Sequence, residues 1–215
     1  MSDFATARRH MVDSQVRTAD VTDLRILSAM QEIPRERFVG TAAADLAYLD
    51  IDLPVGEGRR LLKPMVLAKM IQAADLASDS RVLDVGCATG YGAAVLARIA
   101  GQVVALEQDG ALAQAARTAL SSQPNVTVVS GPLTAGWPQG SPYDVIVLEG
   151  ATEIAAENYL AQLKDGGRLV CVLGGGPDAK AMLYSRSGDE LGGRAIFDAN
   201  AALLPGLAKK PVFAF

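Results

Sequence analysis

One stretch of this chain, residues 81–92, constrains the fold more than any other. It reads Arg-Val-Leu-Asp-Val-Gly-Cys-Ala-Thr-Gly-Tyr-Gly and leads into the alanine-rich residues 93–100. The apolar run predicts a strand, the glycines predict a turn and the alanines predict a helix. Glycine lets a ligand approach the backbone closely, and N–H groups at a helix N-terminus bind anionic or polar groups. The stretch therefore predicts a nucleotide-type binding loop.

The spacing of the glycines separates this loop from two common nucleotide-binding motifs. A dinucleotide-binding loop needs the pattern G-x-G-x-x-G, but the glycines are Gly86, Gly90 and Gly92, and Ala88 stands at the second glycine position. A phosphate-binding loop would end in Gly-Lys followed by Ser or Thr, and this stretch does not. Both motifs are therefore disfavoured.

An acidic residue ends the next predicted strand, residues 102–107. This residue, Glu107, lies roughly twenty residues past the first loop glycine, where a carboxylate commonly binds a ribose diol. Glu107 is the first candidate for a ligand contact, and the alternative is an acid that simply ends a strand in solvent.

Composition and charge limit the classes of function. A chain of 215 residues, half of them hydrophobic, can bury one good core. The net charge of −4 leaves no basic face for duplex nucleic acid. No apolar run approaches the roughly twenty residues that cross a bilayer, and the polar N-terminus lacks the apolar core of a secretion signal. We expect a cytoplasmic protein that binds neither nucleic acid nor membranes.

The cysteine and histidine content argues against metal and hydrolase chemistry. Cys87 and Cys171 have no metal-ligand spacing, so we expect no metal site and two reduced thiols. His10 is the single histidine and lies in a polar N-terminal segment, where Ser-His-Asp catalysis is disfavoured.

Apolar strands alternate with helices through the middle of the chain. The pattern predicts helices at residues 111–120 and 154–163 and strands at 126–129, 143–148 and 168–173. Such alternation predicts a parallel sheet covered on both faces. Right-handed crossovers place the carboxyl ends of its strands on one rim, where residues 86–90, 107–109, 130–133 and 149–152 are expected to converge.

The two ends of the chain have different patterns. Near the N-terminus we predict helices at 7–17 and 23–33, the second capped by Thr22 and stopped by Pro34, then an irregular loop at 53–64 and a helix from Pro64 to residue 77. Near the C-terminus we predict a hairpin of strands 181–187 and 194–198, separated by Gly188, Gly192 and Gly193, and a last strand at 211–215. We expect one domain over residues 1–215, with a helical and loop flank at 1–62 and a cofactor-binding core at 63–215.

The chain also resembles a known family. The loop pattern Asp-x-Gly-x-x-x-Gly and the acid after the second strand resemble class I methyltransferases that use S-adenosylmethionine. Further motifs are similar, in chain order, to the protein-L-isoaspartate O-methyltransferase family. They are residues 11–17 (Met-Val-Asp-Ser-Gln-Val-Arg), 33–39 (Ile-Pro-Arg-Glu-Arg-Phe-Val), 46–48 (Leu-Ala-Tyr), 53–58 (Leu-Pro-Val-Gly-Glu-Gly), 90–91 (Gly-Tyr), 136–138 (Gly-Trp-Pro), 142–144 (Pro-Tyr-Asp) and 163–170 (Leu-Lys-Asp-Gly-Gly-Arg-Leu-Val).

This resemblance implies a fold, a cofactor and a set of contacts. The fold is α/β and Rossmann-like, with a mostly parallel seven-stranded sheet, helices on both faces, antiparallel C-terminal strands and a small N-terminal helical flank. The cofactor is S-adenosyl-L-methionine, and the product is S-adenosyl-L-homocysteine. With the strand-end layout, the resemblance predicts cofactor contacts at Asp84, Gly86, Cys87, Ala88, Thr89, Gly90, Glu107, Gln108, Gly131, Pro132, Leu133 and Glu149.

Two departures from the family pattern concern the substrate and the adenine. After Gly58 the family has Gln-Thr-Ile-Ser-Gln-Pro, but residues 59–64 read Arg-Arg-Leu-Leu-Lys-Pro, so Leu62 stands at the position of the active-site serine. The family's Gly-Asp-Gly is replaced by residues 131–133, Gly-Pro-Leu. No catalytic side chain is identified. Arg59, Arg60 and Lys63 are either a clamp for an anionic substrate or a solvated loop face.

These observations predict a methyltransferase that acts on a carboxylate, as a divergent member of the family. The acceptor is a protein or peptide, or a small anionic carboxylate, and the protein is expected to be a monomer or weak homodimer. The alternatives are the same fold with a different acceptor and a non-catalytic protein that binds the cofactor or its product. Three side chains keep open roles: Tyr91 in helix packing or catalysis, Trp137 in adenine stacking or loop packing, and Asp84 in ordering the loop or in the chemistry.

Overall fold

The computed structural model describes residues 3–154 and 157–209. Its α-helices are α1 (Phe4–Met11), α2 (Leu24–Glu32), α3 (Pro64–Ala74), α4 (Tyr91–Ala97), α5 (Gly110–Ala119) and α6 (Glu157–Leu160). Its strands are β1 (Leu53–Gly56), β2 (Arg59–Leu61), β3 (Arg81–Val85), β4 (Gln102–Glu107), β5 (Val126–Ser130), β6 (Tyr143–Thr152), β7 (Leu163–Leu173), β8 (Lys180–Ser187) and β9 (Glu190–Asp198).

Seven of these strands form one sheet in the order β5-β4-β3-β6-β7-β8-β9. The first five strands in this order are parallel, and β8 and β9 are antiparallel additions at one edge. The predicted mostly parallel α/β fold is confirmed. The chain order reverses direction between β3 and β6, so the crevice outside their carboxyl ends is the expected ligand position.

Alternating side chains of the central strands enter two separate apolar cores. In β4, Val103 belongs to one core and Val104 to the other, and in β6 Val145 and Ile146 divide in the same way. Because successive side chains of a strand point to opposite faces, both faces of the sheet are covered. This burial explains the continuous apolar runs that the strands show in sequence.

The N-terminal flank is helical, but its boundaries differ from the prediction. After α1 the chain continues through a π turn, Val12–Val16, and a 3-10 turn, Arg17–Ala19, so the first predicted helix is not one regular α-helix. The cap of α2 is Asp23 and not Thr22, because the Asp23 carboxylate accepts a hydrogen bond from the Arg25 N–H at 2.8 Å.

The predicted irregular loop before α3 is wrong in one respect, since it contains an antiparallel hairpin of β1 and β2. Leu53 pairs with Leu61, and the pairing shifts at Gly56, which lies opposite Arg59. Alternation along β2 buries Arg59 and Leu61 and exposes Arg60. The hairpin therefore directs two neighbouring arginines to opposite sides. The helix that follows ends at Ala74, three residues before the predicted end.

The C-terminal hairpin is present with a different turn. Gly192 and Gly193 lie inside β9, opposite Ser185 and Tyr184, and not in the connection. A Cβ on Gly193 would lie 2.5 Å from the Tyr184 ring, so ring packing accounts for that glycine. In the described part of the predicted helix at 154–163, α6 covers Glu157–Leu160, and β7 starts early, at Leu163. The predicted strand at 211–215 lies outside the described residues.

Within the described ranges, no helix is long and apolar enough to cross a bilayer.

Candidate functional site

The loop between β3 and α4 forms one wall of the expected crevice. Gly86 and Gly90 have φ values of 78° and 94°, which glycine adopts freely, and Ala88 also has a positive φ of 51°. The N–H groups of Gly86 and Cys87 donate to the Leu106 carbonyl oxygen, and the Gly90 N–H donates to that of Cys87. These backbone donors are therefore used to shape the loop and do not point towards a ligand.

Two side chains of the same loop are also engaged within the protein. The Thr89 hydroxyl donates to the Phe38 carbonyl oxygen at 2.6 Å, which ties the loop to the N-terminal flank. Cys87 is fully buried, and burial, with the nearby charge of Asp84, raises the pKa of its thiol well above the ordinary value. Cys87 is consequently a neutral thiol packed in the core.

Glu107 ends β4 at the crevice, with its side chain fully buried. One carboxylate oxygen accepts hydrogen bonds from the N–H groups of Gln108 and Asp109, at 2.8 and 3.1 Å. The other accepts from the Ala88 N–H at 2.8 Å and from Arg59 Nη2 at 2.9 Å. Four protein donors thus surround the carboxylate that was predicted to bind a ligand.

The Arg59 guanidinium lies in the crevice, where only 3% of the residue is exposed. Its Nη2 donates to the Gly86 carbonyl oxygen at 2.8 Å and to Glu107. The structure therefore separates Arg59 from Arg60 and Lys63, with which it was grouped as a substrate clamp. Arg59 instead links the two loops that were predicted to hold the cofactor.

The C-terminal segment covers the crevice from the other side. Its backbone is anchored to the end of β6: the Ala151 N–H donates to the Ala202 carbonyl oxygen at 2.8 Å, and the Leu204 N–H donates to that of Ala151 at 2.9 Å. A Cβ on Gly86 would lie 2.9 Å from the Leu204 side chain, and one on Gly150 would lie 2.7 Å from it. Sequence reasoning missed Leu204, because an apolar residue in a loop carries no local signal of this position.

Two buried carboxyl groups face each other behind the loop. Asp84 in β3 and Glu149 in β6 are almost fully buried. No N–H group or hydroxyl of the described residues donates to either Asp84 oxygen or to Glu149 Oε1. Burial raises the pKa of Asp84 to about 7, and burial with the charge of Asp84 raises the pKa of Glu149 well above its ordinary value. Burial and proximity therefore disfavour the charged form of both groups, and a double charge on the pair most of all.

Arg35, which sequence reasoning did not single out, holds the backbone around Leu62. It is fully buried and donates to the carbonyl oxygens of Ala47 and Leu62 at 2.9 and 2.8 Å. Its guanidinium carbon also lies 4.5 Å from the centre of the Tyr91 ring, a cation–π contact. Tyr91 is thus a packing residue here, and Leu62 is buried with its carbonyl oxygen fixed.

Arg60 and Lys63 line an open cleft of about 450 Å³ on this side. Its wall also includes Asp50, Asp52 and residues 200–202. Asp52 accepts from the Lys63 N–H at 2.8 Å, and Asp50 accepts from the Met65 N–H at 3.1 Å, so both acids cap α3. Arg60 Nη1 donates to the Asp52 carbonyl oxygen at 3.3 Å, and Arg60 and Lys63 are the positive groups of this cleft.

The remaining predicted contacts meet beside Glu107. The Leu133 N–H donates to the Gln108 side-chain oxygen at 3.3 Å, and Pro132 beside it is exposed. A Cβ on Gly131 would lie 3.4 Å from the Trp137 ring, so the ring packs on this turn. The structure therefore brings these residues to the same rim as the β3–α4 loop.

The crevice has the expected walls, and in the described part of the chain several of its polar and apolar groups contact the protein itself. Glu107 already has four donors, the Gly86 carbonyl oxygen accepts from Arg59, and Leu204 covers Gly86. In the described part of the chain, no three His, Cys, Asp or Glu side chains are grouped to hold a metal ion.

Comparison with known proteins gives a consistent result. The sequence pattern of protein-L-isoaspartate(D-aspartate) O-methyltransferases matches residues 6–196. Protein-L-isoaspartate O-methyltransferase 1 of Rhodopseudomonas palustris (strain HaA2) is 41% identical over 182 residues, which cover 84% of this chain and 74% of that protein. Protein-L-isoaspartate O-methyltransferase of Methylorubrum extorquens (strain PA1) is 43% identical over 173 residues, which cover 80% and 76%.

Solved structures show the same similarity. A protein-L-isoaspartate O-methyltransferase superposes with a TM-score of 0.83 at 27% identity, covering 93% of this chain and 67% of that chain. A putative protein-L-isoaspartate O-methyltransferase from Plasmodium falciparum, in complex with S-adenosyl-L-homocysteine, has a TM-score of 0.73, covering 92% and 97%. At 15% identity this second structure is similar in fold alone.

Proposed function

Because this chain belongs to the protein-L-isoaspartate(D-aspartate) O-methyltransferase family, we propose that it transfers a methyl group from S-adenosylmethionine to the carboxylate of an isoaspartyl residue. The observation that carries the proposal is the family match over residues 6–196. The crevice at the carboxyl ends of β3 and β6 supports it, since ligands of such sheets bind there.

The cofactor, when bound, supplies a methyl group that is already activated by the sulfonium. The protein then has to position the acceptor and exclude water, and good positioning contributes roughly 7 to 11 kcal/mol at most. The loop at 84–90, Glu107 and the turn at 131–133 are the groups proposed to hold the cofactor. In the described conformation Arg59 and Leu204 lie in that place.

The acceptor is proposed to bind in the cleft beside Arg60 and Lys63. A carboxylate is ionised at neutral pH, so it needs no general base to attack a methyl group. The two cations attract and orient it, and Arg60 can form a bidentate pair with it. Leu62, at the family's serine position, is buried and offers no hydroxyl group, so positioning rests on charge.

The decisive test is transfer of labelled methyl from S-adenosylmethionine to an isoaspartyl peptide and to its aspartyl twin. We expect label in the isoaspartyl peptide alone. Equal labelling of both peptides, or of neither, would contradict the proposed specificity.

A small anionic carboxylate as acceptor is the second candidate, favoured by the loss of the hydroxyl group at Leu62. We further propose a cytoplasmic protein, monomeric or weakly dimeric, with no nucleic-acid or membrane partner.

A further inference from the structure

The crevice of this protein is filled by two of its own side chains. The Arg59 guanidinium enters from β2, between the Gly86 carbonyl oxygen and Glu107, and the Leu204 side chain enters from the C-terminal segment. Both lie at the point where the strand order reverses, which is where a ligand of this kind of sheet binds. Crevice residues predicted to contact a ligand therefore contact the protein itself.

The contacts of Arg59 satisfy the acceptors that a ligand would need. A ribose bound to Glu107 must donate its hydroxyl hydrogens to the carboxylate, but Arg59 and three backbone N–H groups already donate to it. A carboxylate has room for about four such donors. A ligand can thus reach Glu107 only after one of these four leaves, and Arg59 is the only side chain among them.

The arginine is held by a buried charge pair. Arg59 and Glu107 are 3% and 0% exposed, and their separation of 2.9 Å is that of a charge-assisted hydrogen bond. Removing one partner would leave the other charge buried without compensation, so the closed state resists opening. In the open state, Arg59 has left Glu107. A ligand that binds only the open state shows its intrinsic affinity multiplied by the fraction of molecules that are open.

We propose that Arg59, together with Leu204, is an internal plug of the cofactor crevice, so that a nucleoside ligand binds only when the guanidinium leaves Glu107. This inference rests on the proposed function for the identity of the ligand. It adds that Arg59, which replaces the family's glutamine after Gly58, lowers cofactor affinity and does not contact the acceptor.

The first experiment measures binding of S-adenosylhomocysteine by calorimetry to the wild type, to Arg59→Gln and to Arg194→Gln. Arg194 is exposed on β9, so its substitution is a matched change of charge away from the crevice. We expect Arg59→Gln to bind at least tenfold more tightly than the wild type, and Arg194→Gln to equal the wild type. Equal affinity of all three proteins would overturn the plug and leave the proposed function standing.

The second experiment uses the unsubstituted protein, so it decides the matter even if Arg59→Gln fails to fold. Phenylglyoxal modifies accessible guanidinium groups, and mass spectrometry locates the modified residues. We expect Arg59 to be protected in the free protein and modified when S-adenosylhomocysteine saturates it, with Arg194 modified in both states. Protection of Arg59 in the saturated protein would overturn the plug.

Two further outcomes separate the plug from the proposed function. If Arg59→Gln binds more tightly but methylates no isoaspartyl peptide, the plug stands and the proposed function fails. If neither the wild type nor Arg59→Gln binds S-adenosylhomocysteine at millimolar concentration, the crevice is not a cofactor site and both fail.

Discussion

Glu149 occupies the space that Gly92 leaves open at the start of α4. A Cβ on residue 92 would lie 1.6 Å from Glu149 Oε1. The glycine is therefore required by the buried carboxyl group of β6, and not by its own backbone conformation, which is helical. This contact joins the helix after the binding loop to the strand on the other side of the crevice.

A double-mutant cycle tests this relationship. Gly92→Ala alone should destabilise the protein by about 1 to 3 kcal/mol, because the methyl group overpacks the site. In the Glu149→Ala background the same change should stabilise by up to about 1 kcal/mol, because alanine favours a helix over glycine. Urea unfolding followed by circular dichroism measures both values, and the same sign in both backgrounds would refute the contact.

The buried pair of Asp84 and Glu149 predicts a pH dependence of stability. Their pKa values are raised by folding, so the folded protein binds more protons than the unfolded one above the ordinary carboxyl range. The stability that these bound protons contribute is present near pH 4 and is lost as the pH rises towards 7. The free energy of unfolding falls by at most about 1.4 kcal/mol per pH unit for each proton. In Glu149→Gln the free energy of unfolding should fall less steeply with pH, because glutamine does not titrate.

Unfolding curves at several pH values from 5 to 8 measure the difference between the wild type and Glu149→Gln. Glu190→Gln, at an exposed position, is the control and should follow the wild type. Parallel profiles of the wild type and Glu149→Gln would mean that the pair does not titrate in this range.

Loss of Glu107 should destabilise the folded protein as well as the cofactor site. Glu107→Ala leaves Arg59 buried without its partner, and breaking such a pair costs about 3 to 5 kcal/mol. The free energy of unfolding in urea measures the cost. Asp198→Ala removes the exposed pair with Lys180 and should change stability little. A similarly small effect of Glu107→Ala would show that Arg59 is not held as described.

The charges of the proposed acceptor cleft should affect binding of the acceptor and not binding of the cofactor product. The double variant Arg60→Gln and Lys63→Gln should raise KM for an isoaspartyl peptide roughly tenfold, since a charged hydrogen bond contributes about 1.5 to 3 kcal/mol. Its affinity for S-adenosylhomocysteine should stay that of the wild type. Lys180→Gln, on β8, is the control. An unchanged KM would remove the two residues from the acceptor site.

The sequence by itself determined the alternation of strands and helices from β3 onwards, the parallel sheet and the family, but not the hairpin of β1 and β2. Apolar periodicity and glycine spacing are local properties, and they suffice for β3, the loop and α4. Element ends were less well determined, because capping depends on which side chain reaches a free N–H, as Asp23 rather than Thr22 shows.

Only the tertiary structure decided what fills the crevice. The side of β2 on which Arg59 lies depends on the register of a hairpin, since a shift of one residue would exchange Arg59 and Arg60. The place of Leu204 depends on how the C-terminal segment pairs with β6, and the raised pKa values depend on burial of Asp84 opposite Glu149. These contacts join residues far apart in the chain, so no local pattern records them.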